Sequence, residues 1–171
     1  MKNIVLTGFA ASGKTTCGKI CAKKLGFTFS DTDKLVENNA KMSINEIFEK
    51  FGEEFFRDLE TDAIKKCAAK ENQVIACGGG TVLRKENMEY LSKNGIIVNL
   101  NPTENVILKR FAAANKSRPL MKSDGEEGTL YRFRSRQPYY DVCDYKIEID
   151  DSKDAKQIAD EILAIYKKEE K

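Results

Sequence analysis

The stretch GFAASGKT at residues 8–15 decides the fold, because it fits the phosphate-binding pattern G-x-x-x-x-G-K-[ST]. A strand-like run at residues 3–7 precedes it, and a helical pattern begins at Lys14. In such a P-loop the backbone N–H groups cradle phosphate oxygens, and Gly8 and Gly13 permit the close approach. We expect Lys14 to reach the β- and γ-phosphates of a nucleotide and the Thr15 hydroxyl to hold Mg²⁺.

The bulk composition is typical of one globular domain. The 171 residues are 41% hydrophobic and 33% charged, and 29 basic against 27 acidic side chains give a net charge of +2. Charge so near balance argues against a dedicated nucleic-acid or membrane surface, and no apolar run approaches the ~18 residues of a membrane span. Because the strand-like run begins at once, we expect no signal peptide and a cytoplasmic protein.

The chain contains five cysteines, none in a C-x-x-C pair, and no histidine. Cys17 and Cys21 share a face of the first predicted helix, so we expect core thiols rather than zinc ligands or disulfides. The lack of histidine removes the usual general base. Any catalysis must therefore rely on carboxylates, cations and metal.

Strand-like and helical segments alternate along the whole chain. The predicted strands are residues 3–7, 27–30, 74–77, 96–100 and 146–149. This alternation predicts an α/β fold of three layers, in which a five-stranded parallel sheet carries helices on both faces. We find no repeat or linker, so the prediction is a single domain over residues 1–171.

Local signals predict where the intervening helices begin and end. The first helix stops at Gly26, and a capping box at Ser43 and Glu46 opens a helix that Gly52 closes. Asn101 and Pro102 predict the N-cap and first turn of a later helix. The remaining predicted helices are residues 54–69, 85–93, one that ends before Pro138, and 153–168.

A polar segment at residues 115–128 carries Pro, Gly and mixed charge, which predicts a mobile loop. Arg118 within it suggests a lid, placed at about 112–128, that closes over the phosphates and excludes water. Arg110 lies one helix earlier. The alternative for both arginines is solvated charge.

Two further segments share the position of the P-loop, directly after a predicted strand. Asp31-Thr32-Asp33 follows the second strand and Gly78-Gly79-Gly80 the third, and ligands bind beyond the carboxyl ends of such strands. On an extended chain Asp31 and Asp33 point the same way. One could anchor the water shell of Mg²⁺ and the other accept a hydrogen bond from a substrate hydroxyl. The alternatives are solvated acids, a helix N-cap and a flexible glycine turn.

Two arginines have the chemistry to bind an anionic acceptor. Arg57 lies three residues before Glu60, which could orient it on the same side of a helix. Arg136 precedes Gln137 and Pro138. A guanidinium offers a planar fork suited to a carboxylate, but the spacing alone favours ordinary surface ion pairs.

These segments together resemble shikimate kinase, in the same order and over nearly the whole chain. The matching segments are residues 8–16, Asp31-Thr32-Asp33, Phe56-Arg57-x-x-Glu60, Gly78-Gly79-Gly80, Arg118-Pro119-Leu120 and Arg136-x-Pro138-x-Tyr140. The resemblance implies a P-loop kinase fold with a mobile lid. It also implies ATP-dependent phosphorylation of the 3-hydroxyl of shikimate, a step of aromatic amino acid biosynthesis.

The same resemblance implies the role of each site residue. The nucleotide would be bound by Ala11, Ser12, Gly13, Lys14, Thr15, Thr16, Arg110 and Arg118. Shikimate would be bound by Asp33, Arg57, Gly79, Gly80 and Arg136, with Phe48 and Phe56 as pocket walls. Mg²⁺ would be held by Thr15 and, through water, by Asp31. Catalysis would rest on Lys14, Asp33 and Arg118.

Several rival functions use the same loop. A gluconate-type kinase is disfavoured by the paired arginines and the triple glycine, and a nucleoside monophosphate kinase more so. A GTPase would need D-x-x-G, which the chain lacks. A non-catalytic relative would be expected to lack site residues that are present here. We expect a monomer whose partners are shikimate and ATP, with neither nucleic acid nor membrane.

Overall fold

A computed structural model of the chain describes residues 2–114 and 125–171. Over these residues it forms one sheet of five parallel strands in the order β2-β3-β1-β4-β5. The strands are β1 Asn3–Thr7, β2 Thr28–Asp31, β3 Gln73–Ala76, β4 Gly95–Pro102 and β5 Tyr145–Ile149. The predicted parallel sheet and α/β class are confirmed.

Helices cover both faces of this sheet. They are α1 Lys14–Leu25, α2 Thr32–Ala40, α3 Ile44–Ala68, α4 Lys85–Lys93, α5 Glu104–Ala114, α6 Gly125–Tyr140 and α7 Ala155–Glu169, with a 3₁₀ turn at Thr81–Leu83. Successive residues of β1 face opposite layers: Leu6 packs with Cys21 and Ile162, whereas Val5 packs with Ile64 and other residues of the second layer. Burial on both faces explains why β1 is apolar at consecutive positions.

The glycine and capping signals place the helix ends correctly. Gly26 adopts a left-handed conformation with φ 69° and donates its N–H to the Ala22 carbonyl. Ser43 and Glu46 form the predicted capping box at the start of α3. Gly52, with φ 84° and ψ 174°, interrupts the helix as a kink, so the two predicted helices join into one bent element.

The prediction that Asn101 and Pro102 start a helix is wrong. Both residues extend β4, and α5 begins at Glu104, where the Thr103 hydroxyl accepts a hydrogen bond from the Val106 N–H at 3.3 Å. The last β1 residue pairs opposite Asn99, so the N–H that Pro102 lacks falls where the neighbouring strand has already ended. Proline is tolerated at such a strand end.

The prediction that a helix ends before Pro138 is also wrong, because α6 continues to Tyr140. Pro138 lies in the last turn, where it removes only its own N–H, and the Asp141 N–H still bonds to the Gln137 carbonyl at 2.9 Å. The predicted lid boundaries change as well. Residues 112–114 belong to α5 and 125–128 to α6, whereas 115–124, with Arg118, lie outside the described residues.

Smaller differences concern element bounds. Pairing shifts β2 one residue later and β3 one residue earlier than predicted, β5 begins at Tyr145, and α7 begins at Ala155 behind an Asp154 cap. Helix α2 was not predicted at all. No helix among the described residues combines the length and the apolarity that crossing a membrane requires.

The cysteines are free thiols. Cys17 and Cys21 are fully buried, which confirms their core role. Burial raises the pKa of the Cys17 thiol to about 11.

Candidate active site

The P-loop joins β1 to α1 in the shape its sequence predicts. Gly8 has φ 146°, and a Cβ there would lie 2.5 Å from the Leu100 carbonyl oxygen, so only glycine fits. Lys14 turns back into the loop, and its ammonium donates hydrogen bonds to the carbonyls of Gly8 at 2.7 Å and Phe9 at 2.8 Å. A third bond runs to the Ser12 hydroxyl at 3.2 Å.

A surface cavity of about 270 Å³ lies against the P-loop and the first turn of α1. It is lined by Ala11, Ser12, Gly13, Lys14, Thr15, Thr16 and Arg110. Arg110 reaches across from α5 and donates to the Ala11 carbonyl at 2.6 Å. The cavity therefore gathers all the predicted nucleotide residues that the structure describes.

Thr15 and Asp31 meet at the edge of this cavity. The Thr15 hydroxyl donates to Asp31 Oδ2 at 3.1 Å, while Asp31 Oδ1 accepts from the N–H groups of Asp33 at 3.0 Å and Lys34 at 3.3 Å. A hydroxyl and a carboxylate beside a phosphate cradle suit Mg²⁺, which takes few protein ligands and keeps waters. The donor set therefore fits the predicted metal.

The expectation that Asp31 and Asp33 share an extended chain is wrong. Asp31 is the N-cap of α2, and Asp33 already belongs to its first turn. The N-cap alternative is thus confirmed, and it coexists with the Thr15 contact because the two carboxylate oxygens of Asp31 point to different partners.

The Asp33 carboxyl lies under the first glycine of the triple-glycine turn. A Cβ on Gly78 would lie 2.5 Å from Asp33 Oδ1 and 3.0 Å from Glu60 Oε2, which places the two carboxyl groups side by side. Burial, followed by the neighbouring charges of Glu60 and Asp31, raises the pKa of Asp33 to about 6, against the opposing effect of Lys14 and Arg57. At neutral pH the Asp33 carboxyl is mostly ionised, and its pKa is close enough to neutral for the group to accept and release a proton.

The two predicted arginines converge on the other glycines. A Cβ on Gly80 would lie 2.3 Å from Arg57 Nη2, and one on Gly79 would lie 3.7 Å from Arg136 Nη1. The Gly79 Cβ would also lie 3.4 Å from the Ala10 N of the P-loop, so the two halves of the site adjoin. The Arg57 side chain is only 11% exposed, which excludes the surface ion pair as its description.

Buried partners hold Arg57 in place. Arg57 Nη1 donates to Glu60 Oε1 at 3.0 Å, as the helical spacing predicts, and its guanidinium lies 5.2 Å from the Phe56 ring centroid. Phe48 packs against Phe56 at 4.9 Å between centroids.

Sequence reasoning gave no role to three residues beside the arginines. The Tyr140 hydroxyl donates to the Gly79 carbonyl at 2.7 Å and fixes the turn. Arg132 is half-buried one helical turn before Arg136; burial and the Arg136 charge lower the pKa of Arg132. The third residue, Thr81, is fully buried directly after the glycines. For Arg132, the i, i+4 spacing from Arg136 was a signal in the sequence that could have indicated its place beside the pocket.

The assembled site combines a phosphate cradle, a place for Mg²⁺ and a cationic acceptor pocket that contains one ionisable carboxyl. These parts lie at the carboxyl ends of β1, β2 and β3, with Arg136 brought in from α6. Such an arrangement aligns a phosphorylated nucleotide with a small hydroxylated anion. The chemistry it supports is phosphoryl transfer by positioning and charge neutralisation.

Comparisons with known proteins agree with this chemistry. The family model described as shikimate kinase matches residues 10–167. The shikimate kinase of Caldanaerobacter subterraneus subsp. tengcongensis is 47% identical over 167 residues, 97% of this chain and 96% of that protein. That of Thermodesulfovibrio yellowstonii is 44% identical over 169 residues, 98% of this chain and 96% of that protein.

Solved structures give the same result. A shikimate kinase from Acinetobacter baumannii, solved in complex with shikimate, superposes with a TM-score of 0.89 at 34% identity, over 99% of this chain and 94% of that one. The shikimate kinase of Aquifex aeolicus superposes with a TM-score of 0.81 at 32% identity, over 98% of this chain and 97% of that one. The chain therefore belongs to the shikimate kinase family, the enzymes that transfer the γ-phosphate of ATP, used with Mg²⁺, to the 3-hydroxyl of shikimate.

Proposed function

We propose that Asp33, Arg57 and Arg136 form the shikimate pocket of this kinase, and that the P-loop presents the γ-phosphate of ATP to it. The observation that carries this proposal is the convergence of all three side chains on residues 78–80, one backbone contact away from Ala10 of the P-loop.

The nucleotide half of the site is assigned to the P-loop. The N–H groups at residues 11–16 and the Lys14 ammonium bind the phosphates, at the positive end of α1. Arg110 flanks the adenine side of the cavity. Thr15 and, through water, Asp31 would hold Mg²⁺, which would supply charge neutralisation at the phosphates.

The acceptor half binds the substrate by its carboxylate. The guanidinium groups of Arg57 and Arg136 bind that carboxylate. The backbone of Gly79 and Gly80, which carry no side chains, contacts the ring hydroxyls. Binding of the carboxylate by the two arginines positions the 3-hydroxyl of shikimate beside Asp33.

Asp33 accepts the hydrogen bond of the 3-hydroxyl and takes its proton as the new P–O bond forms and the bond to the leaving ADP oxygen breaks. Its ionised form dominates above the pKa of about 6. The positive charge of Lys14 stabilises the negative charge on the oxygens of the transferred phosphoryl group. We also assign Arg118 to the phosphates as the lid arginine, a role that rests on the family resemblance because Arg118 lies outside the described residues.

We further propose that the enzyme acts as a monomer in the cytoplasm, without nucleic-acid or membrane partners. The five cysteines are free thiols, as expected of a protein in a reducing compartment. Light scattering tests the first statement, and a mass of two chains would overturn it. Cell fractionation tests the second, and recovery with the membranes would overturn it.

The acceptor assignment is tested by ADP release with a panel of acceptors. We expect ATP turnover with shikimate, and less than about 1% of that rate with gluconate or with nucleoside monophosphates, because neither aligns a carboxylate on both arginines while presenting a hydroxyl to Asp33. Comparable rates with gluconate would overturn the acceptor assignment.

A methyl group on Gly80 should disturb the acceptor half alone. Its Cβ would lie 2.3 to 2.6 Å from three atoms of the Arg57 guanidinium, which is held by Glu60 and must shift. We expect Gly80→Ala to raise KM for shikimate about tenfold or more with KM for ATP unchanged, since a displaced guanidinium loses part of a charged hydrogen-bond pair.

The control is the same substitution in an Arg57→Ala background, where no guanidinium remains for the new Cβ to displace. Steady-state kinetics of both variants, with each substrate varied in turn, makes the comparison. An equal fold-rise in KM for shikimate with and without Arg57 would show that the Arg57 contact is not the cause.

A further inference from the structure

A chain of buried polar groups lies behind the acceptor pocket and begins at Glu60. This carboxylate is completely buried. Its Oε1 accepts from Arg57 Nη1 at 3.0 Å and its Oε2 accepts from the Thr81 hydroxyl at 3.1 Å. Both oxygens are thus bound, as a buried charge requires.

Glu60 is the stronger of the two acidic partners of Arg57. The other, Glu53, bonds Arg57 Nη2 at 3.3 Å, but its side chain is 62% exposed and its pull is screened by water. The orientation of the Arg57 fork therefore follows the orientation of the Glu60 carboxylate. Glu60 Oε1 holds Arg57 Nη1. A group that holds Glu60 Oε2 therefore also fixes the plane in which the carboxylate and the guanidinium lie.

The backbone of Thr81 is itself held by the glycine turn and by α4. Its N–H donates to the Gly78 carbonyl at 3.1 Å, and its own carbonyl accepts from Asn87 Nδ2 at 3.0 Å. Asn87 Oδ1 in turn accepts from the Thr61 hydroxyl at 2.8 Å. Thr81 and Asn87 are fully buried, so the hydroxyl that reaches Glu60 comes from a rigid support.

We propose that Thr81 is a positioning residue for acceptor binding: through Glu60 it holds the Arg57 guanidinium in the plane that receives the substrate carboxylate. This inference rests on the proposed function of Arg57. Thr81 is not among the residues that line the nucleotide cavity, so we expect its effect on the acceptor side.

The test compares Thr81→Val, which keeps the shape and removes the hydroxyl, with Thr81→Ser, which keeps the hydroxyl. We expect Thr81→Val to raise KM for shikimate about tenfold, the effect of one hydrogen bond to a charged group. KM for ATP should stay within about twofold and kcat within about threefold. Thr81→Ser should restore KM for shikimate to near the wild-type value.

Two outcomes would overturn the proposal. One is an unchanged KM for shikimate in Thr81→Val, with only a lower melting temperature or a smaller active fraction. The other is a Thr81→Ser variant as impaired as Thr81→Val. If Thr81→Val does not fold, Thr81→Ala serves in its place, with calorimetric titration of shikimate and of ADP as the readout.

A double-variant cycle separates this inference from the function on which it rests. In an Arg57→Ala background, Thr81→Val should change KM for shikimate by less than about twofold, because residues that act through one another are not additive. A full tenfold change in that background would mean that Thr81 acts elsewhere. If the wild-type protein does not phosphorylate shikimate, the acceptor assignment fails, whatever Thr81 does.

Discussion

Asp33→Asn is expected to lower kcat for shikimate phosphorylation by about a thousandfold, with KM for ATP within about twofold. The amide cannot take the proton of the attacking hydroxyl, and loss of such a group costs on the order of 10²- to 10⁴-fold in rate. Asp33 lies beside Gly78 and Glu60 on the acceptor side, and it is not among the residues that line the nucleotide cavity. Steady-state kinetics at saturating shikimate measures the effect.

The same substitution should stabilise the ligand-free protein. The folded pKa of Asp33 is about 6, above its ordinary value of 3.8. Its folded state therefore prefers the proton, and stability is lost as the pH rises from 3.8 through 6. Asparagine carries no charge to bury, so we expect the free energy of unfolding at pH 8 to rise by about 2 kcal/mol, with little gain near pH 4.

Urea unfolding at pH 8 and pH 4 provides the measurement, with Asp62→Asn on the exposed face of α3 as the control. That control should alter neither kcat nor stability beyond about 0.5 kcal/mol. Equal losses of turnover and of ATP affinity in Asp33→Asn would remove Asp33 from the acceptor side. A lower free energy of unfolding for Asp33→Asn at pH 8 would contradict the inference that the buried charge of Asp33 destabilises the folded protein.

Arg57→Ala and Arg136→Ala should each raise KM for shikimate about a hundredfold, because each removes one partner of a desolvated charge pair. The effect should depend on the substrate's charge. With the methyl ester of shikimate, which has no carboxylate, the wild-type enzyme should already be poor and each substitution should cost less than about fivefold. Kinetics of the three enzymes with both substrates completes the test.

Arg134→Ala is the matched control, since Arg134 lies on α6 two residues before Arg136 but is exposed and bound to Glu104 at 2.9 Å through Nη2. It should leave KM for shikimate unchanged. If the acid and its ester are equally good substrates of the wild-type enzyme, the two arginines do not grip a carboxylate.

The local parts of this structure were predictable because short-range chemistry fixes them. The P-loop, the left-handed turn at Gly26 and the capping box at Ser43 depend on contacts within a few residues. The carboxyl ends of parallel strands then gather at one edge of the sheet. That rule placed Asp33 and the triple glycine beside the P-loop correctly.

The remaining features depend on packing between distant segments. Pro102 lies in a strand because β5 pairs with residues 98–102 of β4 whereas β1 pairs only as far as Asn99, and no local signal near Pro102 reports either register. Asp33 of α2 and Glu60 of α3 come close to each other beneath the glycine turn. The consequence, a carboxyl that titrates near pH 6, becomes visible only when both helices are in place.

The lysine enclosed by its own loop affects how nucleotide affinity arises. The Lys14 ammonium bonds two carbonyls of its own loop and the Ser12 hydroxyl. Much of the conformational entropy lost in shaping that cradle is therefore lost during folding rather than during association. An incoming phosphate exchanges partners with a preorganised cation, so the measured affinity is the difference between two sets of hydrogen bonds.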